Sequence, residues 1–153
     1  MRYLVVVDLQ KEFIKDGYST NIYNNCINYI NHNRGEYDKV IALVFRNNPI
    51  ENPNFCDSLG YFKCIKPKAL EFDADYIIQH CGYGSYDLEV RKDDSYDVIG
   101  FDTDACVLAT CFRIFDCGGK LSILKDYCWS SGGATMHDAG LSIIKRQFGT
   151  CVK

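Results

Sequence analysis

The sequence predicts an α/β domain: three layers, α/β/α, on a mostly parallel, Rossmann-like sheet. Short apolar runs recur along the chain, and segments with helical periodicity separate them. The runs are continuously apolar rather than alternating, which marks strands covered on both faces. With 153 residues, the chain is long enough for one sizeable core, so a single domain over 1–153 is expected, without repeats, linkers or low-complexity tracts.

The elements follow in order. Residues 3–7 read as the first strand, and Asp8 closes it. A helix is expected over 21–32, where Ile22, Cys26, Ile27 and Ile30 form an apolar stripe. Residues 39–45 are a second strand, followed by an Asn- and Pro-rich loop over 46–54, a usual place for substrate contacts. Residues 55–74 are poorly patterned and suggest irregular structure with one helical turn. A short strand over 76–78 and a short helix over 89–92 come next.

The pattern then sharpens. Residues 97–100 are a strand, 105–117 a helix stopped by Gly118-Gly119, and 121–124 another strand. Thr135, followed three residues later by Asp138, resembles a capping box that opens a helix through Phe148. Met136, Ala139, Ile143 and Ile144 would face inward there, with His137 on the surface. In the helix 105–117 the polar positions are Thr110, Arg113 and Asp116, a narrow stripe. Most of its circumference should therefore be covered, and a homo-oligomer, a dimer through or near this helix, is expected.

Composition narrows the function classes. A formal charge of −3 and a pI near 5.5 oppose binding to nucleic acid or an anionic membrane. No stretch approaches the roughly 18 apolar residues of a membrane span. Asp8 and Lys11 interrupt the first apolar run early, so no signal peptide and a cytoplasmic setting are expected. The nine cysteines are odd in number and lack a C-x-x-C pair, so most read as small buried apolar residues. Cys106 and Cys117 are separated by roughly 16 Å of helical rise and cannot share a metal. No metal and no cofactor are expected.

Two residues stand apart. Cys106 follows a strand and opens a helix, where unpaired backbone N–H groups favour a thiolate. Asp8 likewise emerges from the carboxyl end of a strand, where open α/β sheets collect ligands. Asp104 reads as a cap of the helix start, and Trp129 equally as pocket wall or packing. Arg46 reads either as a partner for an anionic substrate group or as a surface ion pair.

Three stretches then carry a resemblance. They are Val5-Val6-Val7-Asp8-Leu9-Gln10-Lys11-Glu12-Phe13, Gly100-Phe101-Asp102-Thr103-Asp104-Ala105-Cys106-Val107-Leu108-Ala109-Thr110, and Asp126-Tyr127-Cys128-Trp129-Ser130-Ser131-Gly132-Gly133 with His137-Asp138-Ala139-Gly140-Leu141. The chain resembles the isochorismatase-like cysteine hydrolases, a superfamily that includes nicotinamidases and related amidases. The resemblance implies a triad of Asp, Lys and Cys: the Asp as base toward the thiol, the Lys stabilising charge, the Cys forming an acyl intermediate. It also implies a cis peptide at Phe101–Asp102, aiming the N–H groups of Asp102 and Cys106 at a developing oxyanion. Thr103 would order the motif through its hydroxyl, and Tyr83 would either line the pocket or fill core.

The chain departs from that pattern at the lysine. The matching stretch is His80-Cys81-Gly82-Tyr83-Gly84-Ser85, which puts His80 in its place, or Gln79 if the alignment slips by one. Lys66 and Lys68 lie in a Pro-containing loop upstream. A protonated His80 would pair with Asp8, whereas a neutral one would accept the Cys106 proton. The nicotinamidase metal cluster also lacks its histidines, since residues 46–53 contain none.

Two functions stay open. One is hydrolysis of an amide-type C–N bond in a small-molecule substrate through Cys106, with Asp8 and His80. The other is a non-catalytic small-molecule-binding member of the same fold. A phosphoacceptor receiver domain, with Lys125 as its strand-end lysine, is disfavoured because the first strand lacks an acidic pair.

Overall fold

The structure, a computed structural model, describes residues 1–60 and 66–153; Cys64 lies outside the described residues. Five strands form one parallel sheet: β1 (Arg2–Val7), β2 (Lys39–Phe45), β3 (Tyr76–His80), β4 (Ser95–Phe101) and β5 (Lys120–Trp129). Their order is β3-β2-β1-β4-β5. The chain therefore winds outward in one direction from β1, then returns to its other side. That reversal opens a crevice beyond the carboxyl ends of β1 and β4.

The apolar runs of the strands are sorted by the pleat. Tyr3, Val5 and Val7 of β1 pack with Val107, Cys111 and Ile114 of α3 (Cys106–Asp116) and Ile144 of α4 (Ala134–Phe148). Leu4 and Val6 turn to the opposite face, against Ile22, Tyr23, Cys26 and Ile30 of α1 (Gly17–Asn33). This is the expected three-layer arrangement. Each fully buried aliphatic side chain in it contributes about 1.5–3 kcal/mol. A short helix, α2 (Asn54–Leu59), follows β2. Among the described residues, no helix is long and apolar enough to cross a membrane.

Several elements differ from expectation. α1 starts at Gly17, because Asp16 and Ser19 cap it reciprocally, Ser19 N–H donating to Asp16 Oδ1 at 2.8 Å and Asp16 N–H to Ser19 Oγ at 3.0 Å. β3 runs two residues further, to His80. No helix forms over 89–92, since four residues are too few to nucleate one. Instead Arg113 holds that loop, its Nε and Nη2 donating to the Leu88 carbonyl at 3.2 and 3.1 Å. β5 is longer than its apolar run because its register against β4 jumps, Val98 pairing with Ile123 and Gly100 with Cys128.

The two helices after β4 also face differently. α4 is preceded by Gly133 without a side-chain cap, and Thr135 is exposed. Its inward face is His137, Gly140 and Ile144, while Met136 and Ile143 are each 41% exposed. His137 is therefore a core residue. In α3, Thr110 turns inward, its hydroxyl donating to the Cys106 carbonyl at 2.8 Å. Thr can be buried this way because the carbonyl one helical turn earlier satisfies its hydroxyl. The outer face carries Phe112 and Phe115 instead, whose rings pack on Phe148.

Candidate active site

The ends of β1 and β4 form the site's floor. Asp8 follows β1 with φ 45°, a left-handed conformation that Asp tolerates better than most residues, and its backbone N–H donates to the Leu43 carbonyl. Two places further, the Gln10 side chain grips the backbone of Phe45, donating to its carbonyl at 3.0 Å and accepting from its N–H at 2.7 Å. That buried clamp fixes the loop after β1 to the end of β2.

On the other side, Gly100 has φ 121°, and a Cβ there would lie 2.0 Å from the Val7 carbonyl oxygen. Only glycine allows β4 to come this close to Asp8's strand. The peptide Phe101–Asp102 is cis, as expected. The Asp102 carbonyl then accepts from the N–H groups of Ala105 and Val107, both at 3.0 Å. Neither the Asp102 nor the Cys106 N–H has a backbone acceptor among the described residues. Gly140 of α4 lies flush on this loop: a Cβ would meet Thr103 and Asp104 backbone atoms at 2.8–2.9 Å.

Asp8, His80 and Cys106 converge. Asp8 is fully buried, and His80 Nε2 lies 2.7 Å from its Oδ1. The other ring nitrogen, Nδ1, lies 2.7 Å from the Gly82 carbonyl. Both partners are acceptors when Asp8 is ionised, so the doubly protonated imidazolium satisfies both contacts at once. Burial pushes the His80 pKa down, but the Asp8 hydrogen bond and charge, with the Gly82 carbonyl, outweigh it and raise the pKa above 6.5. Neither nitrogen is left to accept a proton from Cys106. In that protonated form the ring sets a positive charge against the Asp8 carboxylate.

The Cys106 thiol is buried and faces Asp8. Burial raises its pKa well above the ordinary 9.0, and the Asp8 carboxylate adds to this as a charge and as a hydrogen-bond acceptor. Among the described residues, Asp8 Oδ2 accepts no other hydrogen bond. A resting neutral thiol beside a carboxylate without its complement of donors suits proton transfer during attack rather than a preformed thiolate. The helix start that favoured a thiolate in the sequence is overruled by burial among acids.

Cys106 opens onto a cavity of about 330 Å³. Phe13, Phe45, Phe55 and Tyr83 give it aromatic walls, Phe45 and Phe55 edge to face with centroids 5.4 Å apart. Asp102 lines it too, its Oδ1 accepting from Ser131 N–H at 2.9 Å and its Oδ2 from Ser131 Oγ at 2.5 Å. Burial raises the Asp102 pKa, while Ser131 opposes that.

Other candidates fall into place around this. Tyr83 is half exposed on the cavity wall. The Phe101 side chain is buried in the α1-facing core, so only its backbone belongs to the site. Thr103 is buried, its Oγ1 2.7 Å from His137 Nδ1. Asp104 does not cap α3; it accepts a hydrogen bond from Ser130 Oγ at 2.6 Å. Trp129 packs between Tyr18 and His137, away from the cavity. Arg46 pairs with Glu51 at 2.9 Å in a separate groove. Gln79, Lys66 and Lys68 are exposed. Lys125 is exposed on β5 and lines another groove. Sequence reasoning missed Ser131, Phe45, Phe55 and the role of His137; Ser131 and His137 lie within quoted motifs, whereas Phe45 and Phe55 left no local signal.

Among the described residues, no group of three or more His, Cys, Asp or Glu is arranged to hold a metal ion. The loop after β2 offers Asn47 and Asn48 but no His, so these residues do not fit a nicotinamidase-type metal cluster.

Comparison with solved structures places this architecture. The pyrazinamidase/nicotinamidase from Streptococcus mutans UA159 superposes with a TM-score of 0.75 at 13% identity, covering 100% of both chains. The nicotinamidase from Staphylococcus aureus gives 0.68 at 20% identity, covering 99% of this chain and 98% of that one. An isochorismatase family protein from Desulfovibrio vulgaris gives 0.74 at 14%, covering 99% and 93%. The chain has the fold of these isochorismatase-like hydrolases. No family model matches the sequence. No curated protein matches it significantly either.

Proposed function

We propose that this chain is an isochorismatase-like cysteine hydrolase that cleaves an amide-type C–N bond of a small molecule through Cys106. The contact of His80 Nε2 with Asp8 Oδ1 at 2.7 Å, beside the Cys106 thiol, carries the proposal. It joins a base, a nucleophile and a fixed positive charge, with an imidazolium where the family has an ammonium.

The chemistry follows from those positions. As Cys106 Sγ bonds to the carbonyl carbon, Asp8 takes the thiol proton. Negative charge moves to the carbonyl oxygen, where the Asp102 and Cys106 N–H groups receive it. The C–N bond then breaks, and Asp8 returns the proton to the departing nitrogen. Water attacks the thioester carbon and gives a proton to Asp8. Collapse of that second adduct releases the carboxylic acid and restores the thiol. His80 stays protonated throughout and holds Asp8 in place through its Nε2–H.

The proposal includes a single unit over 1–153, no cofactor, no nucleic-acid partner and a cytoplasmic setting. It also includes a homodimer that covers the exposed Phe112 and Phe115 of α3.

The test is a panel of small amides, with product measured for wild type and Cys106→Ala and with intact mass recorded early in turnover. An acyl adduct on the wild type and loss of product in the variant are expected. Two observations favour a second reading, a pocket kept for binding alone: the thiol is held neutral and the family's lysine is missing. That reading expects ligand-dependent thermal stabilisation that survives Cys106→Ser, with no product from any amide.

A further inference from the structure

We infer that the Cys106 cavity selects a small amide bearing a cationic nitrogen, and that Asp102 is the residue that recognises it. This rests on the hydrolase reading and names its substrate class.

The cavity's charge is one-sided. Glu12, Asp102 and Asp104 line it, and Lys15, exposed to solvent, is the only cationic residue in its lining among the described residues. Asp8 adds a fourth carboxylate directly behind Cys106, though His80 neutralises that one. An anionic substrate would meet three lining carboxylates against one lysine here, in a partly desolvated space where the net repulsion is strong.

Asp102 is built to receive a donor. Ser131 satisfies each carboxylate oxygen once, and a carboxylate has about four lone-pair directions, so roughly two remain. Both Ser131 bonds also fix the rotamer, so the carboxylate is held ready rather than left to swing. Its backbone carbonyl is tied to the first turn of α3, which ties the carboxylate's position to that of Cys106. A cation on Asp102 therefore lies within a few bonds of the carbonyl being attacked.

The aromatic walls are an independent observation in the same direction. Phe13, Phe45, Phe55 and Tyr83 present ring systems that attract cations as well as apolar carbon. A flat or compact organic cation, an amine or amidine, satisfies both walls at once. A neutral apolar amide would use only one.

The experiment compares three amides of similar size: para-aminomethyl, para-ethyl and para-carboxy benzamide. The expected order of kcat/KM is cation over neutral over anion, with about tenfold for each step of roughly 1.4 kcal/mol. In Asp102→Asn the cation-to-neutral ratio should fall to near one, chiefly through KM. Ser131→Ala, which keeps the charge but frees Oδ2 of Asp102, should weaken the preference without reversing it and serves if the first variant does not fold; an unchanged preference there counts against Asp102. An unchanged ratio in Asp102→Asn, or a wild type that prefers the anion or is indifferent to charge, overturns the inference. If the wild type turns over no amide at all, the hydrolase reading fails, and selectivity is read by calorimetry with benzamidine and benzoate. Tighter benzamidine binding that Asp102→Asn abolishes then still supports Asp102; equal or reversed affinities refute it.

Discussion

His80 reaches Asp8 across the end of an intervening strand. In the sheet order β3-β2-β1, the two residues end strands that are not neighbours, and their contact passes beside the Phe45 ring, which meets the imidazole at a centroid distance of 5.8 Å and 68°. A ring shorter than a lysine side chain can span that gap because β3 continues to His80 itself. The pair is almost wholly buried, with 5% and 0% side-chain exposure.

Removing the imidazole leaves a buried carboxylate without its partner. His80→Ala should therefore lower stability by about 3–5 kcal/mol, the usual cost of breaking one side of a buried pair. Chemical denaturation of the variant measures this. A loss below 1 kcal/mol would show that the His80–Asp8 contact contributes little to the fold.

The same pair sets a pH limit. The folded pKa of His80 is raised, so its contribution to stability is full below about 6.5. It is lost as pH rises through the higher folded value. Activity should fall over the same window, because a neutral ring cannot donate to both Asp8 and Gly82. His80→Lys should move the alkaline limb of the kcat/KM profile upward. A variant whose profile superposes on the wild type's would remove His80 from the chemistry.

Asp8→Asn keeps the shape of the site and removes its base. A fall in kcat of about 10²–10⁴ is expected, the range for a positioned general base. Cys106 alkylation by iodoacetamide, followed against pH, supplies a second readout. With the neighbouring charge gone, the thiol should titrate at lower pH in Asp8→Asn than in wild type.

Gly100 and Gly140 are both places where backbone meets backbone. Alanine at Gly140 would press its Cβ on Thr103 and Asp104, and alanine at Gly100 would collide with the Val7 carbonyl. Each should destabilise by about 1–3 kcal/mol from overpacking. Gly100→Ala should sit at the upper end or beyond, since its positive φ adds strain. Thermal unfolding measures both. A Gly100→Ala protein as stable as wild type would mean that β4 and β1 can separate here without cost.

His137 opposes His80 in its response to acid. Burial depresses its pKa, against the pull of Asp138 and Asp104, and its Nδ1 is engaged with the Thr103 hydroxyl. The unfolded chain then binds the proton more readily, so this contribution to stability is present above about 6.5 and lost as pH falls below it. Thr103→Val, which leaves a buried nitrogen unpaired, should cost about 1–3 kcal/mol. His137→Phe should remove the acid-side decline in a denaturation series between pH 5 and 7.

Much of this protein was legible in its sequence. The strands could be read because buried parallel strands are written as unbroken apolar runs, and Cys106 and Asp8 because each sits where such a run ends. What depends on contacts between distant segments could not. His137 and Thr110 look like surface residues by polarity, yet each is buried with its hydrogen-bonding partner supplied by Thr103 or by the helix backbone. The pocket's Phe45 and Phe55 read as ordinary strand and loop residues. The local chain sets which segments are strand or helix through periodicity and caps. The raised pKa values of His80 and Cys106 and the acidic lining around the thiol were decided only by tertiary structure, because burial and neighbouring charge have no local spelling.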